Sequence, residues 1–163
     1  NKERNAKLFA LDHASTHLQL FEANLTSEAG WDEAVQGCDY VLHTASPLPI
    51  PFPVNEIELI EPAIKGTRIV AEAAIKHRVK RLVATGSCIT ITSNRPSGSY
   101  TEDDVTDVNI TSHYAKSKLL AEKALWELHK AQTGDHKTEI VVAMPSLLFG
   151  PTVIDNKGDL SFS

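Results

Sequence analysis

A chain of 163 residues, 42% hydrophobic and 23% charged, carries enough apolar material for one domain with a real core. Its net charge of -5 gives nucleic acid or an anionic membrane surface no reason to bind. Two cysteines, Cys38 and Cys88, lack metal-ligand spacing and suit a reducing, cytoplasmic compartment rather than a disulfide framework.

No apolar run approaches the ~20 residues that span a bilayer. The polar start Asn1-Lys2-Glu3-Arg4 is no signal peptide, and the missing Met points to a chain that begins in mid-protein. The scattered histidines suggest no metal site. The triplets Asn24-Leu25-Thr26 and Asn109-Ile110-Thr111, without a secretory signal, read as accidental glycosylation matches.

In chain order, Lys2 to Leu11 predicts the end of a helix and His17 to Ala23 alternates like a strand. Trp31 to Gln36 predicts a short helix stopped by Gly37, and Tyr40 to His43 a compact apolar strand. Thr44-Ala45-Ser46 follows it. Pro47 to Pro53 then holds four of the eight prolines, which makes it a stiff loop. Asn55 to His77 predicts a long amphipathic helix, kinked at Pro62 or starting there. Arg81 to Thr85 predicts a buried strand running into Gly86-Ser87-Cys88. A polar loop follows, with the acidic run Glu102-Asp103-Asp104. His113 to Gln132 is the longest helical run, capped by Gly134. Thr138 to Met144 is β-branched and buried, ends at Pro145-Ser146, and Gly150-Pro151 turns the chain away. Strands alternating with helices predict a parallel α/β sheet.

Tyr114 and Lys118 stand four apart at the start of the longest helix, so they share a face. An ammonium beside a phenol stabilises phenolate and draws the phenol pKa down from about 10. A phenol so tuned can give a proton to a carbonyl oxygen while hydride reaches the carbon. Tyr-x-x-x-Lys alone is a weak motif. Strand ends in such sheets gather functional groups, here Asn24-Leu25, Thr44-Ala45-Ser46, Ser87 and Pro145-Ser146. Ser87 would stand at the same edge as Tyr114, so a hydroxyl and a phenol could address one carbonyl oxygen.

An ordered set of segments is more specific. It comprises Asn24-Leu25-Thr26, Trp31 to Cys38, Val41-Leu42-His43-Thr44-Ala45-Ser46-Pro47, Glu61 to Thr67, Val79 to Ser87, Tyr114 to Lys118 and Pro145 to Pro151. Nearly the whole chain resembles the extended short-chain dehydrogenase/reductase family. The likeness is to the branch with dihydroflavonol reductases, cinnamoyl-CoA reductases and fungal aldehyde and ketone reductases. His-Thr-Ala-Ser-Pro favours that branch over the nucleotide-sugar epimerases.

The resemblance implies an NAD(P)-dependent oxidoreductase that reduces a small carbonyl compound (aldehyde, ketone or flavonoid-like). It makes Ser87, Tyr114 and Lys118 the catalytic set, with Tyr114 as acid, Lys118 on the nicotinamide ribose and Ser87 on the substrate oxygen. Asn24 and Leu25 would lie beside the adenine, Thr44, Ala45 and Ser46 beneath the cofactor, and Pro145 and Ser146 against the nicotinamide. NADP is preferred to NAD by family habit. Asn24 stands where the family has Asp, and Gly86 where it more often has Ser or Thr. A sterol dehydrogenase, a nucleotide-sugar epimerase or dehydratase, or a non-catalytic nucleotide sensor would use the same scaffold. Oligomeric state stays open between monomer and homodimer.

The eight glycines include no pair with dinucleotide-fingerprint spacing. The chain is therefore read as an incomplete doubly wound Rossmann-like sheet, residues 1–163 being part of the dinucleotide-binding domain, without the first two strands or the substrate domain. In the order 3-2-1-4-5-6, Leu18–Phe21 and Tyr40–His43 would then lie about 14 Å apart and share no ladder.

Overall fold

A computed structural model describes residues 2–49, 53–109 and 112–150. Its elements are α1 (Lys2–Phe9), α2 (Ala14–His17), α3 (Trp31–Val35), β1 (Tyr40–His43), α4 (Ile57–Lys76), β2 (Arg81–Thr85), α5 (Ile89–Thr92), α6 (His113–Ala131) and β3 (Glu139–Ala143). Contacts divide the chain into Glu22–Ser146 and a smaller unit formed by the chain ends. The sheet and every predicted site residue belong to the first.

The sheet is parallel, in the order β1-β2-β3, with Val41 opposite Leu82 and Leu82 opposite Ile140. Because side chains alternate across a strand, Leu82, Ala84 and Ile140 point to one face. There they meet Val70, Ala71 and Ala74 of α4 and Leu125 of α6 in the core. Burying Leu82 and Leu125 completely contributes about 1.5–3 kcal/mol each. The other face leaves Tyr40 62% and Leu42 71% exposed. Among the described residues the sheet thus shows one of the two helical layers of a doubly wound fold.

Seven predicted elements form within two residues of their expected limits. One does not. His17 to Ala23 makes no strand: Ala14–His17 closes a helical turn, and residues 18–23 have no ladder partner. The segment shares no ladder with β1, as expected, but for a different reason. Alternation supplies a face, and only a neighbouring edge makes a strand.

Pro62 lies within α4, which already starts at Ile57, so the helix does not begin at Pro62. The bond it cannot donate would go to the carbonyl of Glu58, an exposed residue that water reaches. The polar stretch after Ser87 contains α5, a single turn that propensity had not marked. Parts of the Pro47–Pro53 loop, the second glycosylation triplet and the Gly150-Pro151 turn lie outside the described residues.

Two devices set α6 against the sheet. At its start the Ser112 hydroxyl accepts from the Ala115 backbone N–H at 3.2 Å, an N-cap that places Tyr114 in the first turn. At its end the buried Gln132 amide accepts from Thr138 N–H at 2.7 Å and donates to Thr138 C=O at 2.9 Å, joining the helix to the approach to β3.

Candidate active site

Ser87, Tyr114 and Lys118 meet at the carboxyl end of β2. The Ser87 hydroxyl hydrogen-bonds the Tyr114 phenol. The Lys118 ammonium lies 5.9 Å from the centre of the Tyr114 ring and donates to the Thr85 carbonyl at 3.3 Å. Lys118 is only 8% exposed, an unusual place for an ammonium.

Burial decides the electrostatics here. It holds the Tyr114 phenol above its ordinary pKa; the Ser87 hydrogen bond pulls the other way and nearby Cys88 adds to the rise. This corrects the expectation that Lys118 draws the phenol down. At 5.9 Å from the ring centre the cation makes a cation–π contact. Lys118 itself is lowered by desolvation. His43, buried at the end of β1, is pushed down to about 4, chiefly by burial and then by the Lys118 charge. It is neutral at every working pH.

Backbone contacts fix the Ser87 turn. Gly86 N–H donates to Ala143 C=O at 2.8 Å, and Cys88 N–H to Pro145 C=O at 3.1 Å. A Cβ on Gly86 would come within 2.7 Å of Val142 Cγ1. The departure from Ser or Thr at this position has a packing reason: β3 runs too close for a side chain.

The remaining predicted residues spread along the same rim. Thr44 and Ala45 are exposed and Ser46 half-buried just beyond β1, while half-buried Pro145 and exposed Ser146 follow β3. Leu25 presses on the backbone of α4, where Gly66 leaves room: an added Cβ would lie 2.9 Å from the Leu25 Cβ. Asn24 is already engaged. Its Oδ1 accepts from both the N–H and the hydroxyl of Thr26, at 2.9 Å each, so the oxygen expected to take an adenine amine is occupied and the side-chain NH2 is what remains.

Three participants escaped the sequence reading. His43, Thr90 and Glu122 surround the Lys118 end of the site, and Glu122 follows Lys118 by the same four residues that separate Lys118 from Tyr114. That spacing was a visible signal for Glu122; nothing local marked Thr90. His13, the N-cap of α2, and His17 also stand four apart, with ring centres 6.0 Å apart, but no group of three metal-ligating side chains occurs among the described residues.

The hydroxyl, the phenol and the ammonium stand at the carboxyl rim of a parallel sheet, the place where α/β folds gather their ligands. The profile of the NAD dependent epimerase/dehydratase family matches residues 1–161, and the chain belongs to that family. It is 32% identical over 158 residues to an anthocyanidin reductase of Arabidopsis thaliana, covering 90% of this chain and 45% of the relative. It is 37% identical over 153 residues to the cinnamoyl-CoA reductase CAD2 of Medicago truncatula, covering 88% and 46%. Among solved structures, yeast methylglyoxal/isovaleraldehyde reductase Gre2 complexed with NADPH superposes with a TM-score of 0.69 at 27% identity, over 81% of this chain and 44% of that one. The chain spans about half the length of the curated relatives it matches. No helix among the described residues is long and apolar enough to cross a membrane.

Proposed function

We propose that this chain is the catalytic half of an NADP-dependent reductase of a small carbonyl compound, and that residues 1–163 form part of its dinucleotide-binding domain. The observation that carries this reading is the Ser87–Tyr114 hydrogen bond beside a buried Lys118. The names of the relatives, reductases of flavonoid-type, cinnamoyl and aldehyde substrates, support the carbonyl class.

The residues present fit a nicotinamide nucleotide. Lys118 donates to one carbonyl, which leaves ammonium protons for a ribose hydroxyl. Thr44, Ala45, Ser46, Pro145 and Ser146 line the rim where the dinucleotide would rest. NADPH, bound there, would supply the hydride and leave as NADP. The protein supplies the proton and the alignment. Burial keeps the Tyr114 phenol protonated at neutral pH, which is the form that reduction consumes. Ser87 holds the carbonyl oxygen against that phenol, and its own bond to Tyr114 keeps both groups aimed at one point. Lys118, fixed by Thr85, orients the ribose.

The test is oxidation of NADPH by the full-length protein against a panel of aldehydes, ketones and flavonoid-type carbonyls. Turnover that disappears in Tyr114→Phe while NADPH binding persists is the expected result. Binding of NADPH without turnover of any carbonyl would overturn the reading in favour of a nucleotide sensor.

A further inference from the structure

We propose that Glu122 is a positioning residue for the Ser87–Tyr114 pair and acts through the hydroxyl of Thr90. The inference rests on the reductase reading for its functional meaning, but its geometry stands alone. Tyr114, Lys118 and Glu122 succeed one another at intervals of four on α6, so all three rise from one face toward the Ser87 turn. The first two reach the site. Glu122 stops one turn short, beside the small cavity that it lines with His43, Thr85 and Lys118.

Both carboxylate oxygens of Glu122 are assigned. Oε1 accepts from the Trp126 indole N–H at 3.2 Å, and Oε2 lies 3.5 Å from the Thr90 hydroxyl. Thr90 is 2% exposed. Its hydroxyl donates to the Ser87 carbonyl at 2.9 Å, its N–H approaches the same carbonyl at 3.1 Å, and its own carbonyl accepts from Thr106 N–H at 2.9 Å. The helix that carries the phenol is thereby joined to the turn that carries the serine through two side chains. The hydroxyl has a single hydrogen, shared between Ser87 C=O and Glu122, so the carboxylate sets how that hydrogen is aimed. Trp126 packs against the core and keeps the carboxylate from swinging away.

Ser87 has no comparable restraint on its side chain, whose oxygen otherwise meets only the Ile89 N–H at 3.4 Å. Loss of Glu122 removes the side-chain link between α6 and Thr90 and lets the Ser87 turn drift relative to Tyr114. Misplacement of a reacting group by about 1 Å costs up to about a hundredfold in rate.

The experiment is a cycle of Glu122→Ala and Thr90→Val in the full-length protein, read in kcat, KM and NADPH affinity, with Glu122→Gln and Tyr114→Phe beside it. Glu122→Ala is expected to lower kcat by about tenfold or more at unchanged NADPH affinity. On the Thr90→Val background it should cost nothing further, the non-additivity of residues that act as a unit. Glu122→Gln should recover most of kcat, since its amide can donate to the Thr90 oxygen and leave that hydroxyl to Ser87. Additive losses, or wild-type kcat in Glu122→Ala, overturn the proposal. If Glu122→Ala does not fold, Thr90→Val alone must reproduce the kcat loss or the proposal falls. If Tyr114→Phe keeps wild-type turnover, Tyr114 is not the acid, and that part of the reductase reading is what fails. The phenol absorbance titration of Tyr114 then decides the geometry: a higher pKa in Glu122→Ala upholds it, an unchanged one overturns it.

Discussion

The two faces of α6 hold their polar side chains in opposite ways. On the inner face Tyr114, Lys118 and Glu122 bond to Ser87, Thr85 and Thr90, and burial shifts the titration of the first two. On the outer face Lys116 reaches Glu56 at 2.7 Å, and Glu127 reaches Arg68 at 2.8 Å, with solvent at every partner. Water can replace a lost partner outside and cannot do so inside. The same helix therefore carries a sheltered, aligned set that chemistry can use and an exposed set that merely decorates the fold.

The sharpest way to break that contrast is Tyr114→Phe. With the phenol as the proposed proton donor, kcat for carbonyl reduction should fall by about 10²–10⁴-fold, measured by NADPH oxidation, with binding retained. Next comes the buried imidazole. His43 is depressed to about 4 from an ordinary 6.5, so between those values the unfolded chain binds more protons than the folded one. Stability is then full above about pH 6.5 and declines as pH falls toward 4, by about 2 kcal/mol between pH 7 and pH 5, at 1.36 kcal/mol per unit. Urea denaturation at the two pH values should show the decline, and His43→Gln should flatten it.

Gly86→Ala tests the packing beneath the inner face. A Cβ 2.7 Å from stiff, β-branched Val142 forces β2 and β3 apart, at about 1–3 kcal/mol by denaturant titration. Lys116→Met marks the small end. It removes the outer bond to Glu56, whose pKa is lowered mainly by that bond. The stabilisation is present above the ordinary carboxylate range and fades as pH falls through the lowered value. Its loss should be smaller than any effect above and vanish in high salt. An outer-face effect as large as the inner ones would erase the distinction between the faces.

How much of this was legible beforehand depends on the range of the signal. Tyr40–His43, Arg81–Thr85 and α6 are written in local periodicity, so their limits came within a residue or two. Tyr114 and Lys118 were found by helical spacing alone. The same rule applied once more would have reached Glu122. Leu18–Phe21 misled, because alternation looks the same with or without a neighbouring edge.

The sequence by itself determined an alternating α/β chain, the strands at Tyr40–His43, Arg81–Thr85 and Glu139–Ala143 and the phenol–ammonium face of its longest helix, since each of these follows from the period of side chains along one segment. Tertiary structure alone decided that Ser87 bonds to Tyr114, that Thr90 stands between Ser87 and Glu122, and that the Tyr114 pKa moves up instead of down. Those outcomes depend on which distant segments exclude water from a group, and burial of that kind is a property of the packed chain rather than of any stretch within it.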